Sequence, residues 1–138
     1  MIIYCDGSLI QGSDSAICIV IDRRKPKIIT LNKKRPIFQL EYLAIIYAFE
    51  SAKPTSTIFS DEKNIVLGLN KRFGDKKNYI FYAKALDLMD EKKLKLVWVS
   101  REKNLAGKHL EKRVKEIHKY FEDQREYVNK QKRKRFKK

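Results

Sequence analysis

The sequence predicts a single α/β domain in which helices pack on a mixed sheet. Three observations predict it. Three short β-prone runs follow one another closely at the start of the chain. Helical segments then alternate with two further runs of that kind. The 138 residues suit one domain able to bury a core, and no internal repeat or linker divides them.

The elements can be taken in order. "MIIYC" is apolar and β-prone and is expected to stop at Asp6-Gly7-Ser8, a turn signal. "AICIVI" (Ala16 to Ile21) reads as a second strand, and "RRKP" turns the chain into a third, "KIITL" (Lys27 to Leu31). Short loops between the three suggest an antiparallel meander. Pro36 precedes "FQLEYLAIIYAFESA", a helix by length and composition. "STIFS" (Ser56 to Ser60) is a fourth strand, and "EKNIVLGLN" a short helix that ends at "KRFGDKK". "NYIFYAKALDLMDEK" is helical, with Ile80, Ala83 and Leu86–Asp87 at a spacing that leaves Tyr82 and Lys84 on other faces, and "LKLVWV" is the fifth strand. From about Asn104 one helix is expected to run to about Val128. Its Leu110, Val114, Ile117 and Phe121 recur at steps of four, three and four, which makes one apolar stripe.

Charge points to the partner. Thirty-two Lys and Arg against seventeen Asp and Glu give +15, a balance that suits a polyanion, nucleic acid first and an anionic membrane surface second. Residues 101–138 carry fifteen bases and six acids, a net of +9, and "KQKRKRFKK" (Lys130 to Lys138) has seven cations in nine residues. The expected division is a domain over residues 1–128 and a basic tail over residues 129–138 that attaches to phosphates. The two cysteines, Cys5 and Cys18, lie in apolar runs without metal-ligand spacing and read as buried thiols of a reduced compartment. "MIIYCDGS" meets an Asp at once, so no secretory leader is expected. No apolar run reaches the ~18 residues that span a bilayer, so nothing is expected to span a membrane. The expectation is a cytoplasmic monomer.

Three acids stand in unusual places. Asp6 and Asp61 each end an apolar strand, where an acid can also serve as a turn or helix cap. Glu41 is harder to explain, because every other residue from Leu40 to Phe49 is apolar or aromatic. A helix apolar nearly all round is buried, and a carboxylate on it needs a base, backbone donors or a cation. If the first and fourth strands lie side by side, their carboxyl ends unite Asp6 and Asp61, and a helix crossing that edge adds Glu41. Such a set would suit hard divalent cations with oxygen ligands, Mg²⁺ or Mn²⁺.

The order of elements, with "IYCDGS", "LEYLAIIYAFE", "IFSDEKNIV" and "LVWVSREKNLAGKHLE", resembles type 1 ribonuclease H over roughly residues 1–125. The resemblance implies a ribonuclease H-like fold with a five-stranded mixed sheet flanked by helices. It also implies hydrolysis of the RNA strand of RNA–DNA hybrids with two Mg²⁺ (or Mn²⁺) ions. By resemblance Asp6 bridges the metals, Glu41 holds the metal on the leaving-group side, and Asp61 is the third ligand. "VSREKN" is similar to the branch of the family without a histidine there. Arg101 takes that place and assists product release or phosphate binding, unless it pairs with Glu102 or Glu111. Gly7, Ser8, Gln39 and Asn104 would meet substrate.

One position departs from the family. Gly107 stands where the fourth carboxylate is expected. Glu111 lies one helical turn, about 5.4 Å, further along the same face and could replace it, or could instead pair with Lys108 or Lys115. His109 should face away, since residues 107 and 109 point about 200° apart on a helix. His118 reads as plain surface. Two other functions stay open: a nucleic-acid-binding module that lost catalysis through Gly107, and another nuclease of the wider superfamily.

Overall fold

The computed structural model describes residues 1–10, 14–31 and 35–136. Five strands, β1 (Ile2–Leu9), β2 (Ser15–Ile21), β3 (Lys27–Leu31), β4 (Thr57–Ser60) and β5 (Lys95–Trp98), form one mixed sheet. Its spatial order is β3-β2-β1-β4-β5. The first three strands are the antiparallel meander expected, while β4 lies parallel to β1 and β5 parallel to β4. The helices are α1 (Ile37–Ser51), α2 (Lys63–Lys71), α3 (Tyr79–Lys92) and α4 (Leu105–Phe136), with a short 3₁₀ turn over Arg101–Lys103.

Helices cover both faces of the sheet, which explains the unbroken apolar run of β2. Ile17 and Ile19 join the α1 side of the core, while Ala16, Cys18 and Val20 meet Ala106 and Leu110 of α4 on the other. α1 is apolar nearly all round because the sheet flanks it on one side and α3 on the other. It buries Leu40, Tyr42, Ile45, Ile46 and Phe49, and each such side chain contributes about 1.5–3 kcal/mol of transfer free energy.

Three expectations about element limits are corrected. β1 does not stop at Asp6; it runs to Leu9, because Asp6, Gly7, Ser8 and Leu9 continue the pairing with β2 opposite Cys18, Ile17, Ala16 and Ser15. Only its pairing with β4 ends early, at Tyr4 opposite Phe59. The buried face of α3 is Tyr82, Ala85 and Met89, whereas Ile80 is 80% exposed. The apolar residues of that helix fit two registers, and packing on α1 chooses the one that buries Tyr82. α4 runs past Val128 to Phe136, since no Gly or Pro interrupts it after Gly107. Lys137 and Lys138 of the terminal basic run lie outside the described residues. No helix among the described residues is long and apolar enough to cross a membrane.

Candidate metal centre

β1 and β4 part company just where the site begins. Tyr4 and Phe59 are their last paired residues, and the two rings stack with centroids 5.0 Å apart. Asp6 and Asp61 each follow two residues later; Asp6, still in β1, continues the face of the Tyr4 ring because side chains alternate along a strand, and Asp61 stands just past β4. A crevice beyond the carboxyl ends of parallel strands is a common place for a ligand.

Glu41 reaches that gap because Gly7 has no side chain. A Cβ on Gly7 would lie 2.7 Å from the Leu40 carbonyl oxygen, a distance that would force α1 away. Backbone therefore rests on backbone at Leu40, and the next residue, Glu41, arrives beside Asp6. Ligand oxygens of Asp6, Glu41 and Asp61 all lie within 4.8 Å of one another. Glu41 is 7% exposed. The ion pairs among the described residues lie elsewhere, so no lysine or arginine neutralises the trio at ion-pair distance.

Electrostatics reflect this crowding. Burial first, then the charge of Asp61, push the Asp6 carboxyl well above the usual carboxylate range. Burial and then the charge of Asp6 push Glu41 up in the same direction. Metal-free, the pair holds protons at pH values where carboxyls are ordinarily ionised. Oxygen donors clustered without a cationic partner fit a divalent cation of the Mg²⁺ or Mn²⁺ type.

Asn104 ties the site to α4. Its Nδ2 donates to the Cys5 carbonyl at 3.0 Å and to Asp61 Oδ2 at 3.3 Å. Its Oδ1 accepts the amides of Ala106 at 3.1 Å and Gly107 at 3.4 Å, which caps the helix. The residue is fully buried and its amide is engaged on both sides. It thus positions Asp61 and the start of α4. Gly107 follows, and a Cβ there would stand 3.1 Å from Asp6 Oδ2. The glycine leaves room for the Asp6 carboxylate where a larger residue would press on it.

The other expected residues divide. Gly7, Ser8, Arg101 and Glu111 line a cavity of about 680 Å³ together with the three acids. Glu111 stands outside the trio, exposed, with Lys115 Nζ 3.3 Å from its Oε1. Gln39, half-buried in the first turn of α1, does not line the cavity. Exposed His109 and Lys108 line a separate groove with Arg23 and Arg24, so His109 does face away from the acids.

Two contributors escaped the sequence. Glu62 lines the cavity, and burial followed by the charge of Asp61 raises its carboxyl. Its position directly after Asp61 is the signal that could have found it. Trp98, opposite Ser60 in β5, donates its indole N–H to the Asp61 carbonyl at 3.2 Å and fixes that backbone. Nothing in the local sequence announces the Trp98 bond.

No protein-family model matches the chain, and no curated protein matches it either. Solved structures do. The N-terminal RNase H domain of Rv2228c from Mycobacterium tuberculosis, determined as a fusion with maltose-binding protein, is 18% identical with a TM-score of 0.61. That match covers 75% of this chain and 84% of the other. The foamy viral protease-reverse transcriptase in complex with dsDNA is 18% identical with a TM-score of 0.63, over 78% of this chain and 88% of that one.

The fold is ribonuclease H-like. On this ribonuclease H-like scaffold the acids occupy β1 just past its pairing with β4, the first turns of α1 and the residue after β4.

Proposed function

We propose that this chain is an endoribonuclease that hydrolyses the RNA strand of RNA–DNA hybrids, with Asp6, Glu41 and Asp61 holding two Mg²⁺ or Mn²⁺ ions. The convergence of those three carboxylates in a chain of net charge +15 carries the reading. A basic protein has cations to spare, yet none sits on the trio among the described residues. Ions held there would activate water and stabilise the leaving oxygen of a phosphodiester.

The chain's own groups have defined tasks in this reading. Asp6 would serve both ions, Glu41 would hold the ion on the leaving-group side, and Asp61, oriented by Asn104 and Trp98, would be the third ligand. Arg101, on the rim of the cavity, meets phosphate. The backbone at Gly7 and the Ser8 hydroxyl meet ribose 2′-hydroxyls, which distinguish RNA from DNA. Glu111 supplies the fourth carboxylate by leaving Lys115. A Glu111→Ala variant with wild-type activity would remove it from the site. The protein acts as a cytoplasmic monomer with its thiols reduced, a setting that suits free, buried Cys5 and Cys18.

Gly107 favours a second reading, a hybrid-binding module without catalysis, because only three acids converge among the described residues. One assay separates the two. Labelled RNA–DNA hybrid, duplex DNA, duplex RNA and a four-way junction are incubated with the protein and Mg²⁺ or Mn²⁺. Cleavage confined to the hybrid's RNA strand is expected. Binding without cleavage selects the second reading, and cutting of the junction or of DNA selects another nuclease of this fold.

A further inference from the structure

α4 has two unlike halves. Its first turns pack on β1 and β2 through Ala106 and Leu110, and Glu111, Val114 and Lys115 line the cavity. From His118 to Arg135 every side chain is exposed. The helix nevertheless continues without a break for 32 residues. The exposed half gains no packing of its own, but the packed half supplies the costly nucleus and residues of good helix propensity extend it.

The free half ends in Lys130, Lys132, Arg133, Lys134 and Arg135, with no acid among residues 130–135. From Glu111 to Arg135 the axis rises about 36 Å at ~1.5 Å per residue. That distance spans about ten base pairs of duplex at ~3.4 Å each. We propose that the free half of α4 is a stiff arm whose cationic end grips the duplex backbone about ten base pairs from the carboxylates and so sets the shortest hybrid the protein handles efficiently. The proposal rests on the reading of the substrate as a nucleic-acid duplex.

Charge and the apolar pattern together favour a duplex over a second copy of this chain as the occupant. The exposed Tyr120, Phe121, Tyr127 and Val128 could in principle face another helix. A parallel partner would set the basic end against itself, and an antiparallel one would set it against residues 111–123, where Glu111, Glu116, Glu122 and Asp123 only offset Lys112, Arg113, Lys115 and Lys119. Gln124 and Gln131 also interrupt the apolar seam at the positions that continue Leu110 and Ile117 in sevens. Phosphates complement every part of the basic end.

The test varies hybrid length. Binding of hybrids of about 8 to 20 base pairs is measured in EDTA by fluorescence anisotropy across a salt series, and cleavage is measured separately with Mn²⁺. Wild-type affinity should rise at least about tenfold once the hybrid exceeds about ten base pairs. A variant with Gln at the five cationic positions should lose that rise, and its salt slope on long hybrids should fall by about 4. Gln124→Pro keeps the charges and breaks the helix beyond the packed half, so it should blur or abolish the length step. Cleavage without any length step overturns the arm while leaving the nuclease reading intact. A length step in binding without cleavage keeps the arm and overturns the nuclease. Gln124→Pro behaving as wild type overturns stiffness, since a loose tether would then suffice. A stable dimer in sedimentation that Phe121→Glu dissociates overturns the proposal in favour of a second copy.

Discussion

The two ends of α1 handle charge in opposite ways. At its carboxyl end the Lys92 ammonium donates to the carbonyls of Phe49, Glu50 and Ala52 at 2.8, 2.9 and 3.0 Å. The Phe49 carbonyl also accepts the Ala52 amide, but carbonyls at a helix end lack the usual intrahelical partner, and a cation there also suits the helix dipole. At the amino end Glu41 is buried beside two more carboxylates and has no cationic partner among the described residues. A charge serving the fold is satisfied by the fold. A charge left uncompensated against its like is destabilising, and the cation proposed above would account for its presence.

The largest test of that contrast is Glu41→Gln. Hydrolysis of hybrid should fall by more than the roughly 10–100-fold that losing an outer partner of a metal ligand costs. The same change should raise the melting temperature in EDTA at pH 8, because it removes a carboxyl that burial and the charge of Asp6 keep from ionising in the folded protein. Thermal melts and single-turnover cleavage read the two effects; a lowered melting temperature would show that Glu41 stabilises the fold.

Acidity gives the next effect. A carboxyl whose pKa is higher folded than unfolded stabilises the fold below its unfolded value and loses that contribution as pH rises through its folded one. Asp6 and Glu41 are both raised above their ordinary 3.8 and 4.5. The metal-free protein should therefore lose stability from about pH 4 upward through neutrality, and Mn²⁺ should restore it most on the alkaline side. Melts across pH with EDTA or Mn²⁺ check this, and a curve unchanged by Mn²⁺ would contradict it.

Lys92→Met works on the other end. It strips a charged donor from three carbonyls and should cost about 1.5–3 kcal/mol of stability, read by urea unfolding. Cleavage per folded molecule should be unchanged. The smallest effect is expected of Gly107→Ala. Helix propensity favours it by up to about 1 kcal/mol, while its Cβ would crowd Asp6 Oδ2 at 3.1 Å. Stability should change little and activity should drop severalfold, a split that equilibrium unfolding and initial rates resolve.

The order of elements was legible because each apolar run has a length and spacing suited to one kind of structure. Glu41 was legible because it is the one residue between Leu40 and Phe49 that is neither apolar nor aromatic. The strand limit at Asp6 was misread because Asp-Gly-Ser is a turn signal locally, while pairing with β2 overrides it. The face of α3 was misread because packing on α1, rather than its own periodicity, selects Tyr82 over Ile80. Lys92 and Trp98 were invisible for a related reason: each acts on backbone atoms far away in sequence.

The contact between Gly7 and Leu40 has a consequence for how the acids are spaced. The span of the trio is set by how closely a helix backbone can lie on a strand, not by the lengths of the carboxylate side chains alone. One methyl group added under α1 would widen the grip on any cation without altering a single ligand. The selectivity of such a centre for small or large ions is thus written partly in a residue that has no side chain to offer them.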